Sequence, residues 1–479
     1  MIVLDGTSLT CSDVTAAARR TASVAIAAEG RERARAAATV ARTAAAAGAV
    51  YGRTTGVGAN RSLAVGGGDT GAHGLRLIRS HAGGGGPLAS AELGLAMLAV
   101  RANQIAAGGS GVDPGVLAVL ADCVNEGVFP PVPVYGAIGT GDLTALAVTA
   151  LCLRGERDWL PAGSPQPRFE LAPADALAFI SSNAATLGEA AIACDDLSGL
   201  MAAAIVIAAL SHVATDGSAE PYAEPVQRAR PHAGQARVAS RLRALLAGQR
   251  QHGSRIQDPY GYRALPQVHG PAVDAADHAT QVVTVELNAA AENPLIDVGG
   301  QAVWHNGNFH SAYVGLALDA ARAALFQTAA LSAARLGTLM EPRYTTLAPF
   351  QATDPAPSSG LMILEYVSHS AVADIRRLAA PAALGSAVLS LGVEEHAGFA
   401  TQSARSATGC VGAYRVVLAC ELVAAVRALR LRGTGLAEGL LVPAYETAAS
   451  ALPHSTQDRP LDGDLAIAQE LLPALAALA

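Results

Sequence analysis

Apolar and polar residues recur at helical spacing from Val14 to about Ala47, in a run dominated by alanine and arginine, which predicts helix. A glycine-rich loop follows, Tyr51-Gly-Arg-Thr-Thr-Gly-Val-Gly58, and a second covers Gly83 to Gly86. Pro87 is expected to restart a helix through Gln104, with Leu88, Leu93, Met97 and Val100 on or near one face. The proline and glycine content of Pro130–Gly141 marks a loop that runs straight into a helix, Asp142 to Leu153. From Asp175 onward the pattern is of long helices. Loops fall near Gln257–Gly270 and Ala291–Asn308, with a break at Pro342–Pro357. The periodic stretches Tyr313–Met340 and Gly360–Ala380 exceed the usual globular helix length and suggest a helical bundle.

Composition sharpens this picture. The 479 residues are 51% hydrophobic, 4% aromatic and 15% charged, and alanine, the best helix former, supplies much of the apolar share. β-branched runs bounded by turns are scarce, so the expected class is all-α. The net charge of −7 comes without a basic stripe, which argues against nucleic acid as a partner. All 33 basic residues are arginine. With no lysine amine for a Schiff base, a pyridoxal phosphate enzyme and a class I aldolase are excluded. Cys11, Cys123, Cys152, Cys194, Cys410 and Cys420 lie far apart, which favours reduced cytoplasmic thiols over a disulfide framework or zinc site. The N-terminal segment lacks the pattern of a signal peptide. The stretch Leu197–Ala214 is the membrane candidate, and its alanine content favours a buried central helix instead.

Seven separated segments carry chemistry-bearing residues. They are Tyr51-Gly-x-x-Thr-Gly-x-Gly58, Ser80-His81-Ala82-Gly83, Gly141-Asp142-Leu143, Gln257-Asp258-Pro259-Tyr260-Gly261-Tyr262-Arg263-x-x-Pro266-Gln267, Asn288-x-x-x-Glu292-Asn293-Pro294-Leu295, Gly307-Asn308-Phe309-His310 and Glu394-Glu395-His396. Arg230-Pro231-His232-x-Gly234-Gln235 and Gly360-Leu361-Met362-Ile363 extend the set. In this order and at these distances, over about residues 40 to 410, they resemble the histidine and aromatic amino acid ammonia-lyase family. The resemblance implies an N-terminal active-site domain, residues 1–190, followed by a long antiparallel helical bundle with C-terminal helices, residues 191–479, in a fumarase/aspartase-like architecture. It also implies a homotetramer with active sites shared between chains, acting on a small amino acid and on no membrane.

Family members remove a weakly acidic β-proton and an α-amino group with an electrophile, methylidene-imidazolone, made autocatalytically from Ala-Ser-Gly within Gly-x-x-Gly-Ala-Ser-Gly-Asp-Leu. Here the stretch reads Gly136-Ala137-Ile138-Gly139-Thr140-Gly141-Asp142-Leu143, one residue short and with threonine for serine. Two readings stay open. Gly139-Thr140-Gly141 cyclises, with the Gly141 nitrogen attacking the Gly139 carbonyl and Thr140 dehydrating to a methyl-substituted alkene, or the loop stays an ordinary peptide with no cofactor. The shorter loop and the crowding methyl favour the unmodified peptide. A primary amine leaves poorly without covalent activation, whereas a trimethylammonium departs as neutral trimethylamine. The altered loop therefore suits a histidine betaine, and a family relative, ergothionase, cleaves a thiol-histidine betaine. The alternatives are a conventional ammonia-lyase or aminomutase with a cyclised loop, and a catalytically silent binding homologue.

Residue by residue, the resemblance makes Tyr51 the β-proton base, Tyr260 an assisting tyrosine and Arg263 a bidentate carboxylate clamp. Asn183 and Gln257 would hold the electrophile loop and substrate, and Phe309 would pack near the reacting centre. His81, Met362 and Glu394 match the branch that reads imidazole rings, since a carboxylate accepts a ring N–H and a phenyl ring offers none. Blander roles compete: His81 hydrogen-bonding its loop, and Glu394 capping a helix or pairing with Arg405. Glu365 and His369, four apart on one face, would need His305 or His310 to form a metal site, and a satisfied buried pair is the simpler reading. Gly83–Gly86 lacks the preceding strand and the lysine of a phosphate loop.

Overall fold

The computed structural model describes residues 1–65, 70–250, 253–433 and 435–479, with helices dominating and three two-stranded ribbons among those residues. Two compact units emerge. Unit 1 comprises Met1–Asp195, Ala279–Leu318 and Pro381–Arg405, and unit 2 comprises Asp196–His278, Asp319–Ala380 and Ser406–Ala479. The chain thus returns to its first unit twice.

In unit 1 the expected Val14–Ala47 helix is two helices, Cys11–Ala18 and Ala28–Ala47. The break has a local cause. Val24–Ile26 forms a parallel strand pair with Ile2–Leu4, where β-branched residues favour extended backbone over helix. Thr10 starts the first helix with a capping box, its hydroxyl accepting from Asp13 N at 3.1 Å. Pro87 does not open a helix. It lies in the strand Gly85–Leu88, antiparallel to Pro133–Tyr135, and the helix begins at Ala91 behind the cap of Ser90.

That helix, Ala91–Ala107, is the core of unit 1, buried along almost its whole length. Its interior includes Arg101, Asn103 and Gln104, whose polar groups are satisfied. Arg101 pairs with Glu292 Oε1 at 2.9 Å and donates to the carbonyls of Phe179 and Ala178 at 3.0 and 2.6 Å. Asn103 donates to Leu287 O at 3.0 Å and accepts from Gly6 N at 2.8 Å. These bonds anchor the segment running from Asn288 through Glu292 to the hairpin Leu295–Asp297/Ala302–Trp304. Ile296 of that hairpin packs against Ala37, Val40 and Ala41 of the helix Ala28–Ala47.

Unit 2 holds much of the long helices Ala184–Ala214, Leu265–Leu287, Ala312–Met340 and Ala400–Arg432, together with Ile363–Leu378, Leu441–Ala451 and Asp462–Ala477. The boundaries of Ala312–Met340 and Leu143–Arg154 fall within a residue or two of the periodic pattern. A fully buried carboxylate, Glu421, is met by Arg335 through Nε and Nη2 at 2.6 and 2.8 Å and by Ser211 at 2.7 Å. By length and composition, three helical stretches among the described residues are apolar enough to cross a membrane: Pro173–Ala214, which contains the expected candidate, and also Ala312–Met340 and Ala400–Arg432.

Candidate active site

A cavity of about 560 Å³ opens in unit 1, between the loop after Ala28–Ala47, the loop before Leu143–Arg154, and the segments around 305–309 and 393–394. Tyr51, Arg61, His305 and Glu394 are its ionisable lining groups, and Thr140, Gly141, Asn293 and Phe309 share the wall.

Tyr51 sits in the turn that follows the helix. Its phenol oxygen accepts from Gly58 N at 2.9 Å, a donor placed to hold negative charge on that oxygen. The Tyr51 amide reaches His305 Nε2 at 3.4 Å, and the two rings stand edge to face. Gly58 adopts φ +54°, and a Cβ there would lie 2.5 Å from Ser390 Oγ, so only glycine permits this approach. Ser390 Oγ in turn accepts from Ala59 N at 3.0 Å, and Leu389 and Glu394 bond each other's backbone. These contacts bring Glu394 Oε1 to 3.6 Å from where a Gly58 Cβ would stand, close to the atoms that hold the Tyr51 phenol.

The loop 136–142 is pinned at successive positions. Ala137 O accepts from Gln402 Nε2 at 2.9 Å, Ile138 O from Phe399 N at 2.9 Å and Gly139 O from Ser311 N at 3.1 Å. Gly141 N donates to Asn183 Oδ1 at 2.8 Å, and Asn183 Nδ2 donates to Phe309 O at 2.6 Å. Gly139 has φ +85°, and a Cβ there would lie 2.6 Å from Ala400 N, so the family's alanine has no room on this path. Asp142 is fully buried and accepts from Thr186 N and Oγ1 at 2.7 and 2.8 Å. Burial pushes its carboxyl up to about 6, against the pull of those hydrogen bonds.

The sequence candidates therefore divide. Tyr51, Thr140, Gly141, Phe309 and Glu394 line the cavity, and Gly139 and Asn183 stand behind it as parts of the pinned loop. His81 is in unit 1 but outside the lining. It ends the helix Thr70–His81, and its Nδ1 lies 2.9 Å from Leu77 O, the local role of a helix terminus. Gln257, Tyr260, Arg263 and Met362 belong to unit 2. There the Arg263 guanidinium lies 4.6 Å over the Tyr260 ring, Arg263 Nε is buried without a partner, and Tyr260 is exposed. Glu365 and His369 are also in unit 2, whereas His305 and His310 are in unit 1. Among the described residues no group of three or more His, Cys, Asp or Glu gathers to hold a metal.

Sequence reading passed over Arg61 and assigned His305 only to a metal. Arg61 follows the glycine loop by three residues, and His305 opens the run that ends in Phe309-His310, so their neighbourhood to known motifs was the available signal. Two residues of the Asn288–Asn293 motif have structural partners, and one of them, Asn293, also shares the cavity wall. Glu292 serves the Arg101 pair, and Asn293 Oδ1 takes Asn306 N at 3.0 Å, fixing the turn that presents His305 and Phe309.

A tyrosine, a carboxylate and glycines held at positive φ thus share one cavity of this helical protein. Residues 9–451 match the sequence profile of the aromatic amino acid lyases. The chain is 37% identical to the histidine ammonia-lyase of Sorangium cellulosum, over 98% of this chain and 97% of that protein. The crystal structure of the histidine ammonia-lyase of Trypanosoma cruzi superposes with a TM-score of 0.91 at 28% identity, covering 100% of this chain and 94% of that one. The ergothionase of Treponema denticola, solved with desmethyl-ergothioneine sulfonic acid, shares the fold, with a TM-score of 0.90 at 24% identity over 100% and 99% of the two chains. The protein belongs to the aromatic amino acid lyase family and is a carbon–nitrogen lyase.

Proposed function

We propose that the enzyme eliminates the α-amino or α-trimethylammonium group of a histidine-like amino acid, giving an α,β-unsaturated imidazolyl acid without a methylidene-imidazolone. The juxtaposition of Tyr51 and Glu394 in one cavity carries the reading. The Tyr51 oxygen, as the phenolate, takes the β-proton and becomes the phenol, the electrons of that carbon–hydrogen bond form the alkene, and the carbon–nitrogen pair leaves on nitrogen. The Gly58 N–H holds the charge that passes through the phenol oxygen. Glu394 accepts the N–H of the substrate ring, and Phe309 packs beside it. By the family resemblance Arg263 grips the substrate carboxylate and Tyr260 and Gln257 assist, in a homotetramer whose chains share active sites.

The unmodified loop is supported by its length, one residue short of the family's, and by the crowding methyl of Thr140. A family ring made from alanine is also at odds with the space around Gly139. A trimethylammonium substrate needs no covalent activation of its nitrogen, so this loop favours the betaine.

Two measurements test the proposal. Intact mass gives the sequence mass if the loop is unmodified, whereas ring closure removes two waters, about 36 Da. Incubation with histidine, its trimethyl betaine and the thiolated betaine is followed at the ultraviolet band of the conjugated product. Silence with all three substrates removes the substrate class.

A further inference from the structure

His310 Nε2 lies 2.9 Å from His396 Nδ1, with the rings tilted by 32° and their centroids 5.0 Å apart. Neither histidine lines the cavity. Each follows a residue that does, however: His310 comes directly after Phe309, and His396 two residues after Glu394. Ser311 N, next to His310, holds Gly139 O, and Phe399 N, three residues after His396, holds Ile138 O. Two segments remote in sequence thus pin adjacent carbonyls of one loop, and the histidine pair is a side-chain bond between them. Gly398 fits the junction closely, since a Cβ there would stand 3.3 Å from His310 Cε1.

We infer that His310 and His396 form a clasp that positions Phe309, Glu394 and the loop 137–141 for the reaction. This rests on the lyase reading only for its kinetic consequence. One ring nitrogen donates and the other accepts, and the bond fixes the spacing of the two segments. Without it, Ser311 N and Phe399 N remain bonded to the loop and Ser403 Oγ still donates to Gly315 O at 3.1 Å, but the side-chain bond beside Phe309 and Glu394 is gone, so Glu394 shifts more freely against the loop. A displacement near the chemistry is costly in rate although neither ring touches substrate. Both are positioning residues.

Hydrogen exchange by mass spectrometry tests the clasp without any substrate. In the His396→Ala protein, exchange of the Ser311, Phe399 and Gly141 amides speeds up about tenfold, the loss of one hydrogen bond, while the core helix Ala91–Ala107 keeps its protection. His396→Asn keeps a polar atom at the Nδ1 position and His310→Gln keeps one at the Nε2 position, so both exchange within about twofold of the parent. On whichever substrate the enzyme turns over, His396→Ala lowers kcat about tenfold with a smaller change in KM, and the two conservative variants recover most of it. Unchanged exchange in His396→Ala, or exchange as fast in both conservative variants as in the alanine variant, overturns the clasp even if the lyase reading stands. Altered exchange in an enzyme silent toward every substrate supports the clasp and overturns only the lyase reading.

Discussion

Asp142 follows the altered loop, and its burial sets up a stability effect whose sign is unusual for a carboxylate. The group is fully buried, and its pKa rises from 3.8 to about 6 because desolvation outweighs the bonds from Thr186. That difference corresponds to about 3 kcal/mol between the protonated and ionised forms. Since the folded value lies above the unfolded one, the contribution is fully present below about pH 4 and is lost as pH rises through about 6. Asp142→Asn removes the ionisation and keeps the shape. Its amide oxygen still accepts from Thr186 N, and its NH2 donates to Thr186 Oγ1, whose own O–H then donates to Thr401 Oγ1, 2.7 Å away. The variant and parent are therefore about equally stable near pH 4, and the variant gains up to about 3 kcal/mol over the parent by about pH 8. Urea unfolding of both proteins across that range reads the difference, in which the titration of all other groups cancels. A gap that stays constant with pH, or that moves against the variant as pH rises, refutes the reasoning.

Two further predictions concern the scaffold of the site. Arg101→Met leaves the buried Glu292 without its cation and costs about 3–5 kcal/mol in thermal or urea unfolding, part of which returns with Glu292→Gln. A loss under about 1 kcal/mol means that the pair does not anchor the Asn288–Asn293 segment. Gly139→Ala forces a Cβ against Ala400 N at φ +85°, costs about 1–3 kcal/mol and lowers kcat by displacing Thr140. A variant as stable and active as the parent shows that the loop follows another path.

Local signals and remote ones fared differently in the sequence. The helices Leu143–Arg154 and Ala312–Met340 were legible because apolar periodicity, a glycine after Arg154 and a proline after Met340 lie within the segment itself. The three-residue strands were not, because Val24–Ile26 is extended through its pairing with Ile2–Leu4 and carries too little pattern of its own. Pro87 reads equally as a helix start or an edge-strand residue, and the partner Pro133–Tyr135 decides it. Buried Arg101, Asn103 and Glu421 resemble surface residues until their partners, remote in the chain, are known. In the site, motif order placed Tyr51, Phe309 and Glu394 around one cavity. His81 lies outside that lining, with its Nδ1 2.9 Å from Leu77 O, a local contact that its motif does not signal. The His310–His396 bond joins two motifs read separately, and nothing in either motif signals the other.

The central claim is that the Tyr51 oxygen removes the substrate proton. The most direct measurement compares the parent with Tyr51→Phe, monitoring the conjugated product on the best of the three imidazole substrates. The ring is retained and only the oxygen is lost, so the account predicts a kcat lower by about a hundredfold to ten-thousandfold with folding intact. A Tyr51→Phe enzyme that forms product at the parent's rate contradicts it.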